Sequence, residues 1–129
     1  MTAIGQDTLG TRQTLKVGNR DVAIYSLKKA AEKLGDVSRL PFSMKVLLEN
    51  LLRFEDGVTV TVDDIKAIVD WQKHPTASDN EIQYRPARVL MQDFTGVPCV
   101  VDLAAMRDAM NALGADATKI NPLVPVHLV

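Results

Sequence analysis

The chain has 129 residues, 15 Lys+Arg against 16 Asp+Glu for a formal charge of −1 at pH 7, and 47% hydrophobic residues. That is the size of one ordinary domain with enough apolar sequence for a core, and the balanced charge gives no electrostatic ground for binding nucleic acid or a membrane surface. No apolar run is long enough for a spanning helix, Met1-Thr-Ala-Ile-Gly-Gln-Asp lacks the features of a secretory signal, and the single cysteine excludes an internal disulfide and fits a reducing, cytoplasmic setting.

Residues 1–12 are small and polar, with Gly5, Gly10 and several threonines, and are expected to form a flexible N-terminal arm. Thr14–Val17 and Asp21–Tyr25 are β-prone runs around Gly18-Asn19, a dipeptide able to supply positive φ, and predict a hairpin. Ser26 is placed to cap a helix over Leu27–Leu34, whose Leu27, Ala30, Ala31 and Leu34 share a face, with Gly35 as terminator. Ser43–Phe54 is the strongest helical segment. Its apolar arc (Val46, Leu47, Leu48, Leu51, Leu52, Phe54) implies burial on more than one side. Glu49 and Arg53 stand in the favourable i,i+4 order, worth a few tenths of a kcal/mol, and read as part of a solvated face.

Gly57 breaks the pattern, and Val58–Val60 is expected to be a short extended piece. Thr61-Val-Asp-Asp reads as an N-cap with acids in the first turn, opening a helix over Val62–Trp71. Asp63 and Asp64 are accounted for by that role. Residues 73–83 predict a polar surface loop in which Pro75 excludes regular helix and His74 is merely solvated.

Tyr84-Arg-Pro-Ala-Arg leads into Val89-Leu-Met, an apolar run short enough to be one buried strand. The chain turns polar at Gln92 and Asp93, breaks at Thr95-Gly96 and Pro98, and becomes apolar again at Cys99–Val101. Asp102 is positioned to cap a helix ending at Leu113, with Leu103, Met106, Met110 and Leu113 facing inward and Gly114 closing it. The methionines read as core filler. Ala115–Lys119 is a loop, and Ile120–Val129 an extended, proline-punctuated approach to a strand. Its abrupt apolar end reads as a cut in a longer chain, with exposed apolar surface expected near Val124–Val129.

A strand that delivers polar side chains to a loop before a helix is where open α/β proteins place ligands, which singles out Gln92 to Thr95. The Gln92 amide can fix a carboxylate or hydroxyl, or can satisfy loop backbone groups. Pattern alone leaves both open. Asp93 can equally cap the following turn. Cys99 has no cysteine or histidine at ligand spacing and reads as a buried structural thiol. Neither His74 nor His127 has a carboxylate partner nearby, and no nucleophilic triad, phosphate loop or paired-carboxylate motif is present.

Gln92-Asp-Phe-Thr-Gly-Val-Pro98 followed by Val100-Val-Asp-Leu-Ala-Ala-Met-Arg-Asp-Ala-Met110 resembles the N-terminal region of the aconitase family, in the branch of bacterial aconitase A and the iron regulatory proteins. Leu34–Arg53, Tyr84–Val89 and Lys119–Leu123 carry the same resemblance in the same order, so it extends over nearly all of the chain beyond the first dozen residues. It implies an enzyme that interconverts citrate and isocitrate through cis-aconitate. The family uses a [4Fe-4S] cluster held by three cysteines as Lewis acid, and a distant serine as base. It also implies substrate binding by the glutamine of the Gln-Asp-Phe-Thr-Gly motif, Gln92, with Asp93 and Thr95 as supporting loop residues.

Three departures go with it. Cys99 stands where the family has a small residue such as Ala and matches no cluster ligand. His127 replaces an Asp of a Pro-Val-Asp-Leu-Val run. The family's Ile-Asp-His continuation, with active-site Asp and His, would follow Val129. The expectation is therefore an α/β fold: residues 13–129 as the N-terminal part of the first aconitase domain, a partial three-layer α/β/α unit with an N-terminal hairpin, truncated at the C-terminus. Gln92 is the one expected substrate-binding residue, with no catalytic residue and no metal ligand in this stretch. Cluster and citrate/isocitrate belong to the parent, the remainder of the aconitase chain is the partner, no membrane is involved, and the isolated piece is inactive. A parent acting on 2-methylcitrate or 2-methylisocitrate, or one that also binds mRNA, is the alternative.

Overall fold

Gly18 takes the positive φ (59°) that lets the chain reverse between β1 (Arg12–Val17) and β2 (Arg20–Tyr25), and Asn19 does not need to. Register runs from Arg12 opposite Tyr25 to Val17 opposite Arg20, so the loop is the two-residue Gly18-Asn19. The computed structural model describes residues 5–73, 75 and 80–129. His74 and much of the expected 73–83 loop lie outside the described residues.

Helix α1 (Leu27–Leu34) starts where Ser26 Oγ accepts the Lys29 N–H, and ends at Gly35, whose φ of 93° few other residues adopt without strain. Helix α2 (Phe42–Phe54) follows Pro41. Helix α3 (Val62–Trp71) carries a full capping box: Thr61 and Asp64 each bond the other's backbone N–H. These boundaries agree with the sequence expectations because caps and periodicity are local properties.

The core lies where α2 and α3 meet. Leu48, Leu51 and Leu52 cluster with Ile65, Ile68 and Val69, joined by Tyr25, Ala30, Val37, Leu40 and Val60. Residues 58–60 form no strand. Asp56 instead organises them: its carboxylate accepts the backbone N–H groups of Val58, Thr59 and Val60 and the Thr59 hydroxyl.

The described part of the expected arm is not free. The Gln6 N–H donates to the Glu55 carbonyl (2.8 Å), and the Thr8 N–H to the buried Glu55 carboxylate (2.9 Å). Thr11 is fully buried and bonds Asp7. Gly5 runs so close to α2 that a Cβ there would meet the Glu55 and Arg53 carbonyl oxygens at 2.7 and 2.8 Å. Composition suggested an arm, but side-chain-to-backbone bonds hold this one down. Glu49 and Arg53 also do more than face solvent. They form an ion pair on α2, and the Arg53 guanidinium lies 4.9 Å from the Tyr25 ring centre.

Contacts divide the chain into two compact units, Met1–Arg85 and Pro86–Val129. The second contains β3 (Val89–Met91), α4 (Gly96–Ala112), a 3₁₀ turn at Ala117–Lys119 and β4 (Val126–Leu128). β3 and β4 pair in parallel, Val89 opposite Val126 and Met91 opposite Leu128, which makes this a strand–helix–strand crossover. The chain is therefore a mixed α/β protein with an N-terminal antiparallel hairpin. No helix among the described residues is long and apolar enough to cross a membrane.

Candidate functional site

The loop from Gln92 to Thr95 leaves the C-terminal end of β3 and enters α4. Two bonds shape it. The Gly96 N–H donates to the Gln92 carbonyl (3.0 Å), and the Val129 N–H donates to the Met91 carbonyl (2.9 Å). The second continues the parallel ladder past Leu128 and sets Gln92 and Val129 side by side at one end of the strand pair.

Gly96 is the residue that lets the loop turn so tightly. It is buried, and a Cβ there would meet Leu128 Cδ1 at 2.5 Å and Met91 Cβ at 2.8 Å. Helix α4 thus begins pressed onto the strands it joins, and only a residue without a side chain fits. Sequence reasoning took Gly96 for a simple break. The signal that identifies it is a glycine at a strand–loop–helix junction, where close backbone approach is the rule.

Helix α4 begins seven residues earlier than the Asp102 cap implied, at Gly96 rather than Leu103. Thr95 precedes its first residue without a side-chain cap bond, and Pro98 is its third residue. Proline breaks helix interiors, but in the first turn its missing N–H would have had no intrahelical partner. Asp102 lies within the helix, and Cys99 is an exposed residue on it rather than a buried thiol. The apolar residues of α4 are spread around its whole circumference, so the expected inner face is only partly realised: Leu103 and Met110 are half-buried, Met106 and Leu113 exposed. The strand departs from expectation in the same direction, with Leu90 60% exposed.

Gln92, Asp93 and Thr95 are all exposed. Asp93 makes no side-chain cap on α4. Among the described residues neither Gln92 nor Asp93 spends its side chain on an internal hydrogen bond, which leaves both available to a ligand. His127 sits opposite Leu90 on β4, exposed.

Concavities of the first unit offer less chemistry. One of about 550 Å³, walled by Leu34, Arg39, Val69, Trp71 and Gln72, includes Asp36. That carboxylate accepts the Ser38 N–H, which holds its pKa below the ordinary value. Asp56 is held lower still by the Thr59 hydroxyl and the Val60 and Val58 N–H groups. Both carboxylates are committed to their own turns. Among the described residues no group of three or more His, Cys, Asp or Glu side chains is placed to hold a metal.

A clamp that sequence reasoning missed fixes the last residue of the first unit. The Asn50 amide donates to the Arg85 carbonyl (2.7 Å) and accepts the Arg85 N–H (3.0 Å), as a neighbouring strand would. The Arg85 guanidinium donates to Asp56 (3.2 Å) and lies 5.7 Å from the Phe54 ring centre. No spacing rule connects residues so far apart in sequence.

Comparison with known proteins bears on both units. The profile of the aconitase family (aconitate hydratase) matches residues 62–129. The chain is 63% identical over 123 residues to aconitate hydratase A of Pseudomonas aeruginosa, an alignment covering 95% of this chain and 13% of that protein. It is 60% identical over 127 residues to aconitate hydratase A of Legionella pneumophila, covering 98% of this chain and 14% of the relative. It is 60% identical over 119 residues to the Escherichia coli protein of the same name, covering 92% and 13%. The chain thus spans about an eighth of the length of these relatives. With more than half of its residues matched by the family profile, the chain belongs to the aconitase family.

Proposed function

We propose that this chain is the N-terminal part of an aconitate hydratase, a hydro-lyase that interconverts citrate and isocitrate through cis-aconitate, and that Gln92 is its contribution to the substrate site. Residues 13–129 then belong to the first α/β domain of a cytoplasmic enzyme, and the remainder of the polypeptide is their partner.

The observation that carries this reading is the parallel register of β3 and β4. It brings Gln92 and Val129 to the same end of the strand pair, the carboxyl end of both strands. Ligands of open α/β sheets bind outside the carboxyl ends of the strands. A primary amide suits that place for a tricarboxylate: it donates to carboxylate and accepts from hydroxyl without adding charge of its own.

The family's iron–sulfur cluster requires several thiolates, and this chain holds one cysteine, exposed on α4. Its residues do not fit the cluster. What the chain itself does is bind and orient, with the rigid Gly96 junction holding the Gln92 backbone. Alone it lacks the converging groups that catalysis needs, and the isolated chain has no turnover.

In the full-length protein, Gln92→Ala is expected to lower kcat/KM for citrate about 10- to 100-fold, on the order of 1.4–2.7 kcal/mol of transition-state binding, without unfolding. A variant with the parent's kcat/KM would remove Gln92 from the site.

A further inference from the structure

We infer that Arg107 is a positioning residue for the Gln92 site: it braces α4 against the chain that delivers β4, and so holds β4 beside the Gln92 loop. The role rests on the reading of Gln92 given above. Three residues of β4 pair with three of β3, and a two-stranded sheet is marginal in water by itself. The end nearest Gln92 depends on β4 twice. The Val129 N–H donates to the Met91 carbonyl, and Leu128 Cδ1 lies where a Cβ on Gly96 would stand. Whatever fixes β4 therefore also fixes Met91 and Gly96, which flank the loop.

Pro122 and Pro125 carry no N–H and have a fixed φ, and Leu123 between them is fully exposed. They stiffen the approach to β4 without attaching it. Arg107 supplies the tie to α4. Its Nε donates to the Ile120 carbonyl (3.0 Å) and its Nη2 to Asn121 Oδ1. The other end of the Asn121 amide donates to the Thr118 carbonyl (2.8 Å), and the Thr118 N–H and hydroxyl both donate to the Asp116 carboxylate (2.9 and 2.7 Å). A continuous run of side-chain bonds thus leads from α4 through the 3₁₀ turn to the stiff approach.

The geometry suits arginine in particular. A planar guanidinium serves two acceptors in fixed directions, where an ammonium is a point charge. Arg107 lies about 16 Å of helix beyond Gly96. Helix α4 is therefore fastened to the strands at its start by the contacts of Gly96, and to the β4 approach in its second half by Arg107. Because Arg107 is exposed, its contribution lies in the placing of these two bonds rather than in its charge.

The test uses the full-length protein. Arg107→Ala and Arg107→Lys are each expected to speed amide exchange at Val129 and Val89, whose N–H groups bond the Met91 and Pro125 carbonyls, by at least about 10-fold, with α2 unchanged. Both are expected to lower kcat/KM for citrate about 10-fold. In a Gln92→Ala background the same substitutions should cost less than about 2-fold, because residues that act through one another are not additive. The lysine variant keeps the charge and covers the case in which the alanine variant fails to fold. Exchange at Val129 equal to the parent's would overturn the inference, and so would losses that add fully to that of Gln92→Ala. If Gln92→Ala alone leaves kcat/KM unchanged while Arg107→Ala still speeds exchange at Val129, the brace stands and the proposed role of Gln92 fails instead.

Discussion

In the first unit, α2 and α3 enclose Leu48, Leu51, Leu52 and Ile65, each no more than 1% exposed. In the second, α4 carries Val97, Val100, Val101 and Met106, all exposed, and Gly96 is the one buried residue among those described. Both units are rich in aliphatic residues and both form regular helices. What differs is whether an apolar face finds a complementary face within the same unit. Helix α2 has α3 and Val60 to pack on; the strand pair β3–β4 has its single crossover helix. Parallel strands are ordinarily covered on both faces, and this pair is incomplete as a core although its backbone bonds are made.

The contrast can be broken most directly by cavity substitutions. Leu51→Ala is expected to destabilise the first unit by about 2–5 kcal/mol in urea denaturation, whereas Met106→Ala, on an exposed helix position, costs under about 1 kcal/mol. Similar losses would mean the second unit has a core as well closed as the first. Next in size is Gly96→Ala, expected to cost about 1–3 kcal/mol because its Cβ would collide with Leu128 and Met91. Amide exchange across β3 and β4 should rise with it while that of α2 stays unchanged. A silent Gly96→Ala would mean that the strand–helix junction adjusts freely.

Thr61→Ala, which removes the capping box of α3, is expected to cost about 1 kcal/mol. The loss should be rescued by Thr61→Ser, with the far-ultraviolet circular dichroism melt as readout. Smallest is the acid response. Asp56 has its pKa depressed in the folded state, first by the Thr59 hydroxyl and then by the Val60 and Val58 N–H groups. A depressed carboxylate contributes stability that is complete above its unfolded pKa and is lost as pH falls through the folded one. The loss therefore begins below the ordinary value of 3.8. Asp56→Asn should flatten that part of the stability–pH profile and leave the neutral region's slope unchanged. A profile identical to the parent's below pH 3.8 would show that Asp56 is not its source.

Helices α1, α2 and α3, the hairpin and the strand β3 were legible because each is set by residues within a few positions of one another, whereas β4 was read only as an extended approach to a strand. Ser26, Thr61 and Gly35 mark ends by local hydrogen bonding and φ preference, whatever they later pack against. The errors share a cause. Pro98 and Gly96 were taken as breakers when they occupy the first turn of α4, where a missing N–H costs nothing and a missing side chain is required. Residues 1–12 were taken as an arm because composition records neither the bonds of Gln6 and Thr8 to Glu55 nor that of Thr11 to Asp7. At the site, the position of Gln92 at a strand end was legible, and the family resemblance gave it a meaning that pattern alone left open. The burial of Cys99 was misjudged because exposure depends on neighbours far away in sequence.

By itself, then, the sequence determined the local elements, their caps, the family to which the chain belongs and the candidate Gln92. Dihedral preferences, periodicity and short-range hydrogen bonds suffice for the elements, and a long ordered resemblance suffices for the family. Only the tertiary structure decided that Gly96 is pinned between Met91 and Leu128, that Asn50 holds Arg85 as a strand would, and that Gln92 lies beside Val129. Each of these joins residues with no regular spacing between them, through van der Waals contact or hydrogen bonds that exist only once the chain has folded back on itself.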